Sequence, residues 1–291
     1  GGAFHDVAYV MDRYGIVPKS AYTGLDADAK RHDHGEMDDV LKSVVESIEK
    51  RKAPSAKWDE MLCGVLDTYL GELPEEFEYE GKKYTPKKFA NSTGLSMDDY
   101  VSITSFTHHP FYKTFDIEVP DNWMSKESYN LPISEMMEVF DNAVEEGYSV
   151  AWGSDVSEKG FNYRAGLAVM PSDASTLKVQ GKDSKNFNDA GAFKYGEAFK
   201  KPVDELKITQ EMRQKGFDNY ETTDDHGMHV IGVAKDQNGK RYYIVKNSWG
   251  KTNQCDGYFY ASEAFVKYKT INFLVHKNAL PKKISKKLGL N

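Results

Sequence analysis

The residues of this 291-residue chain whose types and spacing most directly suggest chemistry are His226 and Asn247. Asp225-His226-Gly227-Met228-His229-Val230 opens one apolar run, and Lys246-Asn247-Ser248-Trp249-Gly250 closes the next. If the two runs are strands of one hairpin, a single β-pairing sets an imidazole beside a side-chain amide. The amide oxygen can then accept a hydrogen bond from one ring nitrogen and hold the imidazole in one tautomer. The other nitrogen is left to act as a base. Trp249 is expected to cover that hydrogen bond and keep water from it. Such an arrangement serves acyl transfer through a cysteine thiolate, with histidine as the ion-pair partner of the sulfur.

Alternatives exist for each residue. His229 competes with His226, but strand residues three apart point to opposite faces, so only one can look at Asn247. The wider pattern favours His226 and leaves His229 as a packed strand residue. Asp224, Asp225, His226 and His229 also have the composition of a metal site, yet the strand phase separates the two histidines and no further ligand stands out. No metal or other cofactor is therefore expected.

The thiolate is harder to find. Cys63 precedes His226 by 163 residues, near the roughly 130–150 between the cysteine and histidine of one class of thiol enzymes. It falls inside a helical stripe, however, and not at a helix N-terminus, where the dipole and free N–H groups would lower a thiol pKa. Cys255 falls in a turn after the Asn247 strand. Neither is expected to be the nucleophile.

The elements that must position these residues are legible in the apolar periodicity. Met228–Ala234 and Arg241–Val245 read as strands joined through Asn238-Gly239, with further strands at 257–260 and Ile271–Val275. Helical spacing marks Val7 to Tyr14 before Gly15, Met37 to Ile48, Trp58 to Leu70 before Gly71, and Pro132 to Val144 before Gly147. Short strands are expected at Tyr100–Ser105 and Tyr148–Trp152, and loop from about Ser172 to Phe217. The class is α+β: helices early, antiparallel sheet late.

Composition is that of a globular chain, 40% hydrophobic and 29% charged. A net charge of −7 and a pI near 5.7 argue against nucleic acid or an anionic membrane as partner. No apolar run approaches the roughly 18 residues of a membrane span. Two cysteines give no disulfide framework. The absence of an initial methionine leads us to expect a fragment, and cytoplasmic residence is the expected localisation.

Asn247-Ser248-Trp249-Gly250 resembles the papain superfamily of cysteine peptidases. Tyr14-Gly15-Ile16-Val17-Pro18-Lys19, Leu70-Gly71-Glu72-Leu73-Pro74, Ser149-Val150-Ala151-Trp152-Gly153-Ser154-Asp155 and Asp225-His226-Gly227-Met228 are similar to its bleomycin hydrolase/aminopeptidase C family. The resemblance implies a papain-like cysteine peptidase fold, incomplete at the N-terminus and carrying a largely helical insertion. By it, 1–24 would follow a missing nucleophile helix, 25–130 would be the insertion, 131–280 the core bearing His and Asn, and 281–291 a short tail. It further implies His226 as general base/acid, Asn247 as its orienting residue, Trp249 as active-site support, and Gly2 or Gly1 on the cleft edge that pairs with substrate backbone. The oxyanion glutamine and the nucleophile would lie upstream, so the chain alone is expected to be inactive. Peptide substrates and a homo-oligomer, hexameric in the family, are the implied partners. The alternative is a non-enzymatic homologue that binds peptides or serves assembly.

Overall fold

The computed structural model describes residues 2–25, 29–30, 32–178 and 195–290. Two compact units result, one of residues 9–95 and one of residues 1–8 with 96–291.

In the unit of residues 9–95, helix α1 (Phe4–Tyr14) ends where Gly15 takes a positive φ of 87° and its N–H bonds Met11 O. A Cβ on Gly15 would lie 2.2 Å from the Pro86 carbonyl carbon, so no other residue fits there. Helices α2 (Gly35–Glu49) and α3 (Trp58–Leu70) pack together, and the Tyr69 hydroxyl donates to Glu36 Oε1 at 3.1 Å. A hairpin of β1 (Phe77–Tyr79) and β2 (Lys82–Tyr84) leads to α4 (Pro86–Ser92). Phe77, Tyr79 and Tyr84 all place their rings within 5.1–5.5 Å of Phe89, a cluster dense enough to hold this short element.

The other unit is built on a ten-stranded sheet among the described residues. Its strands are β3 (Tyr100–Thr104), β4 (Thr114–Asp116), β5 (Glu127–Asn130), β6 (Val150–Ser154), β7 (Phe161–Asn162), β8 (Leu167–Ala168), β9 (His226–Lys235), β10 (Arg241–Lys246), β11 (Tyr258–Ser262) and β12 (Thr270–His276). They lie in the order β4-β5-β3-β12-β6-β9-β10-β11-β8-β7. Only β3–β5 and β8–β11 are parallel; the remaining pairs are antiparallel. Helix α5 (Ile133–Glu145) covers the sheet with Met136, Val139, Phe140 and Ala143, all fully buried. The Phe140 ring meets Trp152, Tyr243 and Phe273 edge-on at 4.9–6.4 Å, worth about 1.5–3 kcal/mol of burial. α5 stops at Gly147, φ +83°, with Tyr148 N–H reaching Ala143 O and Gly147 N–H reaching Val144 O, a Schellman closure. Helices α6 (Gln210–Asp218), α7 (Glu263–Lys269) and α8 (Lys282–Leu288) complete the unit.

Three features bear on the expectations. The segment 25–130, implied to be a mostly helical insertion, carries the β1–β2 hairpin and, as the run at Tyr100–Ser105 led us to expect, strand β3, which pairs with β12 and β5. The end of the stretch expected to be loop from about Ser172 to Phe217 is instead helix α6, whose buried face is Arg213, Gln214 and Gly216. Arg213 is fully buried, donates from Nε to Ser105 O at 2.7 Å and sits 4.6 Å over the Phe106 ring. A helix with a polar buried face has no apolar stripe to read. Third, the β9–β10 connection is organised by Asp236, whose carboxylate accepts from the N–H groups of Asn238 and Lys240; Gly239 supplies the positive φ. Among the described residues no helix is long and apolar enough to cross a membrane.

Candidate active site

His226 is the first residue of β9, and its β6 partner is Ser154. Asn247 follows the last residue of β10, and its N–H bonds Gly257 O at 3.1 Å. β9 and β10 pair antiparallel with a register shift: Ile244 faces Gly232, but Val245 faces Val230. Ile231 is therefore a bulged residue, and the shift re-aims everything beyond it. Continued past Lys246–His229, the shifted register puts Asn247 in line with Met228 and on the face that His226 shares.

The side chains meet there. His226 Nε2 and Asn247 Oδ1 are 2.8 Å apart, and the same oxygen accepts from Ser248 N–H at 2.7 Å. An amide oxygen only accepts, so Nε2 carries the proton and Nδ1 presents its lone pair. Asn247 is 7% exposed, which shields the bond from competing water. The Trp249 ring lies 4.8 Å from the imidazole and tilted by 31°. It is braced edge-on by Phe161 and Tyr163, and the Tyr163 hydroxyl donates to Gly250 O at 2.6 Å. Trp249 keeps one side open to solvent.

The residue before the histidine is anchored to the loop after β6. Asp225 accepts from Ser157 N–H at 2.9 Å, Val156 N–H at 3.2 Å and the Thr223 hydroxyl at 2.7 Å. Burial alone would raise its pKa, but these hydrogen bonds hold the carboxyl at about 2. Behind it, the ammonium of Lys269, 1% exposed, lies 3.1 Å from Asp155 and 2.9 Å from Glu158. It also donates to Glu221 O. Sequence reading singled out Asp155 within a resembling segment but missed Lys269, which ends a short helix and carries no motif.

Beside the histidine is a cavity of about 280 Å³, lined by Gly2, Asp121, Gly153, Asp224 and Asn272 as well as His226. Gly2 thus stands at this cavity, 3.1 Å in Cβ terms from Asp6 Oδ2; Gly1 lies outside the described residues.

His229 is on the opposite face and exposed, not packed as expected, because alternation along β9 gives the inner face to His226, Met228 and Val230. That separation also removes His229 from any ligand set with His226. A different group, His108, His109 and Glu118, brings three possible ligand atoms within 4.8 Å. There Gln214 Oε1 accepts from Thr107 N–H, which turns Nε2 to donate to His108 Nδ1 at 3.0 Å. His108 Nε2 therefore holds its proton toward Glu118, the arrangement of a hydrogen-bonded pair.

Neither cysteine has the setting of a thiolate. Cys63 is the sixth residue of α3 and not at its N-terminus. Cys255 packs against Gly166, where a Cβ would come within 2.5 Å of its sulfur. Burial, then the charge of Asp256, pushes its pKa up, opposite to what a nucleophile needs.

Known proteins are similar to this chain in sequence and fold. The chain matches the model of the Peptidase C1-like family over residues 1–290. It is 27% identical to Aminopeptidase C of Lactococcus lactis subsp. cremoris, an alignment covering 96% of this chain and 64% of that protein. Aminopeptidase C of Streptococcus thermophilus is 25% identical, with 96% of this chain and 63% of that protein covered. The crystal structure of PepW from Lactobacillus rhamnosis HN001 is 22% identical and aligns with a TM-score of 0.69, over 99% of this chain and 65% of that one. The chain spans a little under two thirds of the length of these relatives.

Proposed function

The chain belongs to the Peptidase C1-like family, on its bleomycin hydrolase/aminopeptidase C branch, and has a papain-like α+β fold; from this premise we propose that it supplies the base side of a cysteine aminopeptidase centre. The observation that carries the reading is the 2.8 Å contact of His226 Nε2 with buried Asn247 Oδ1.

In this reading Nδ1 of His226 takes the proton of a cysteine thiol, and the thiolate attacks the scissile carbonyl carbon. The imidazolium then returns the proton to the leaving amine, giving an acyl-enzyme that water hydrolyses with His226 again as base. Asn247 keeps the ring in the tautomer that this sequence of transfers requires, and stabilises the imidazolium. Trp249 restricts water at the hydrogen bond. Gly2, without a side chain, lets substrate backbone come close. The thiol is supplied by neither Cys63 nor Cys255, so the 291-residue chain by itself is expected to be inactive. Apolar side chains left exposed on α2 and α3, among them Val45, Trp58 and Met61, support assembly with further copies.

The test compares this chain with the full-length gene product on aminoacyl-coumarin substrates, with iodoacetamide labelling read by peptide mass mapping. Activity only in the longer protein, lost on alkylation of a cysteine outside these 291 residues, is the expected result. Hydrolysis by the chain alone, blocked by alkylation at Cys63 or Cys255, would overturn the assignment. A full-length product that binds peptides without hydrolysing them would instead favour a non-enzymatic homologue.

A further inference from the structure

The cavity beside His226 has a chemical bias of its own. Asp224 and Asp121 both line it, and no described lysine or arginine forms an ion pair with either. Burial, followed by the charges of Asp121 and Asp225, pushes the carboxyl of Asp224 up to about 6.

An independent feature points the same way. Asn272, on β12, is 8% exposed, and its Nδ2 donates to Ser102 Oγ at 3.3 Å. That bond turns Oδ1 away from Ser102, and no described residue donates to it. Oδ1 instead points at the empty side of Gly153: a Cβ there would be 2.8 Å from it and 3.9 Å from Asp224 Oδ1. The missing side chain of Gly153 therefore opens the pocket onto two acceptors from different strands and loops. An amide oxygen that faces the pocket with no protein donor is left for a ligand or water to satisfy. The polar groups that meet here accept hydrogen bonds and carry negative charge.

We propose that this pocket receives an ammonium group of the peptide substrate, held by Asp224, Asp121 and the Oδ1 of Asn272. A primary ammonium offers three N–H donors and one positive charge, which matches three acceptors around one space. The inference rests on the reading of this cleft as a peptide site. It adds that the chain's own carboxylates select a cationic group next to the scissile bond. The group comes either from the free N-terminus of the peptide or from a lysine side chain.

The experiment is isothermal titration of the 291-residue chain at pH 7.5 with three matched tetrapeptide amides. The first has a free α-amino group and norleucine, the second is N-acetylated with norleucine, and the third is N-acetylated with lysine in place of norleucine. At least one ammonium-bearing peptide is expected to bind about tenfold or more tightly than the neutral one. Preference for the first peptide identifies the α-ammonium, and preference for the third the side chain. Asp224→Asn and, separately, Asp121→Asn are each expected to bring the affinity ratio toward one. Two isosteric changes on different segments guard against loss of fold, which circular dichroism monitors. Equal binding of neutral and cationic peptides, or a preference that survives in both variants, overturns the proposal while leaving the peptide cleft standing. No binding of any of the three overturns both.

Discussion

Asn247 reaches His226 and not His229 because the β9–β10 register slips by one residue between Ile244 and Val245. Carried on from the Ile244–Gly232 pair without the slip, the ladder would set Asn247 opposite His229. With it, the asparagine joins the face of Met228 and Val230, and the hydrogen bond forms in a buried setting.

That geometry makes a spectroscopic prediction. Neutral His226 should be the Nε2–H tautomer, and long-range ¹H–¹⁵N spectra should show a protonated Nε2 shift for it. Asn247→Leu should return the ring to a mixture of tautomers. A protonated Nδ1 in the unsubstituted protein would sink the assignment.

Loss of the amide should be felt in turnover more than in binding. In the complete enzyme, Asn247→Ala is expected to lower kcat by about 10- to 100-fold with KM changed little, the worth of a hydrogen bond to a developing charge. His226→Ala should abolish turnover, and His229→Ala should leave it within about twofold. Steady-state kinetics on one fluorogenic substrate separates the three.

The buried ion cluster behind the site should matter for stability. Lys269→Met would leave Asp155, 2% exposed, without its cation. A loss of about 3–5 kcal/mol is expected by urea unfolding. Adding Asp155→Asn should recover part of it, since the uncompensated charge is then gone.

Asp224 predicts a pH dependence of the opposite sign to most carboxylates. Its folded pKa, about 6, is above its ordinary value of 3.8. The folded state therefore binds the proton more tightly than the unfolded chain, and stability falls as pH rises from about 4 through 6. Asp224→Asn should be more stable than the unsubstituted protein at pH 7.5, by about 1–2 kcal/mol for this half-buried group. The two should converge below about pH 4. Thermal melts across that range check both the sign and the window.

Much of the architecture is local enough to read from sequence. Apolar spacing places α2 and α3, and the β-branched and aromatic runs place β9, β10 and β12, within a few residues of their observed bounds. Gly15 and Gly147 mark helix ends because only a residue tolerant of positive φ closes them so cheaply. Asn247 at the end of one strand and a histidine at the start of the neighbouring one were likewise visible. So was the lack of a suitable setting for either thiol, since helix-interior and turn contexts are sequence-local. The choice of His226 over His229 came from the wider motif and not from strand geometry, because a one-residue bulge leaves no mark in an apolar run such as Val230-Ile231-Gly232. Helix α6 was hidden because tertiary carbonyls, not an apolar stripe, satisfy its buried Arg213. The acidic pocket was hidden for a related reason. Asp121, Gly153, Asp224 and Asn272 are far apart along the chain, and only the packing of β6 between β9 and β12 brings their segments to one place.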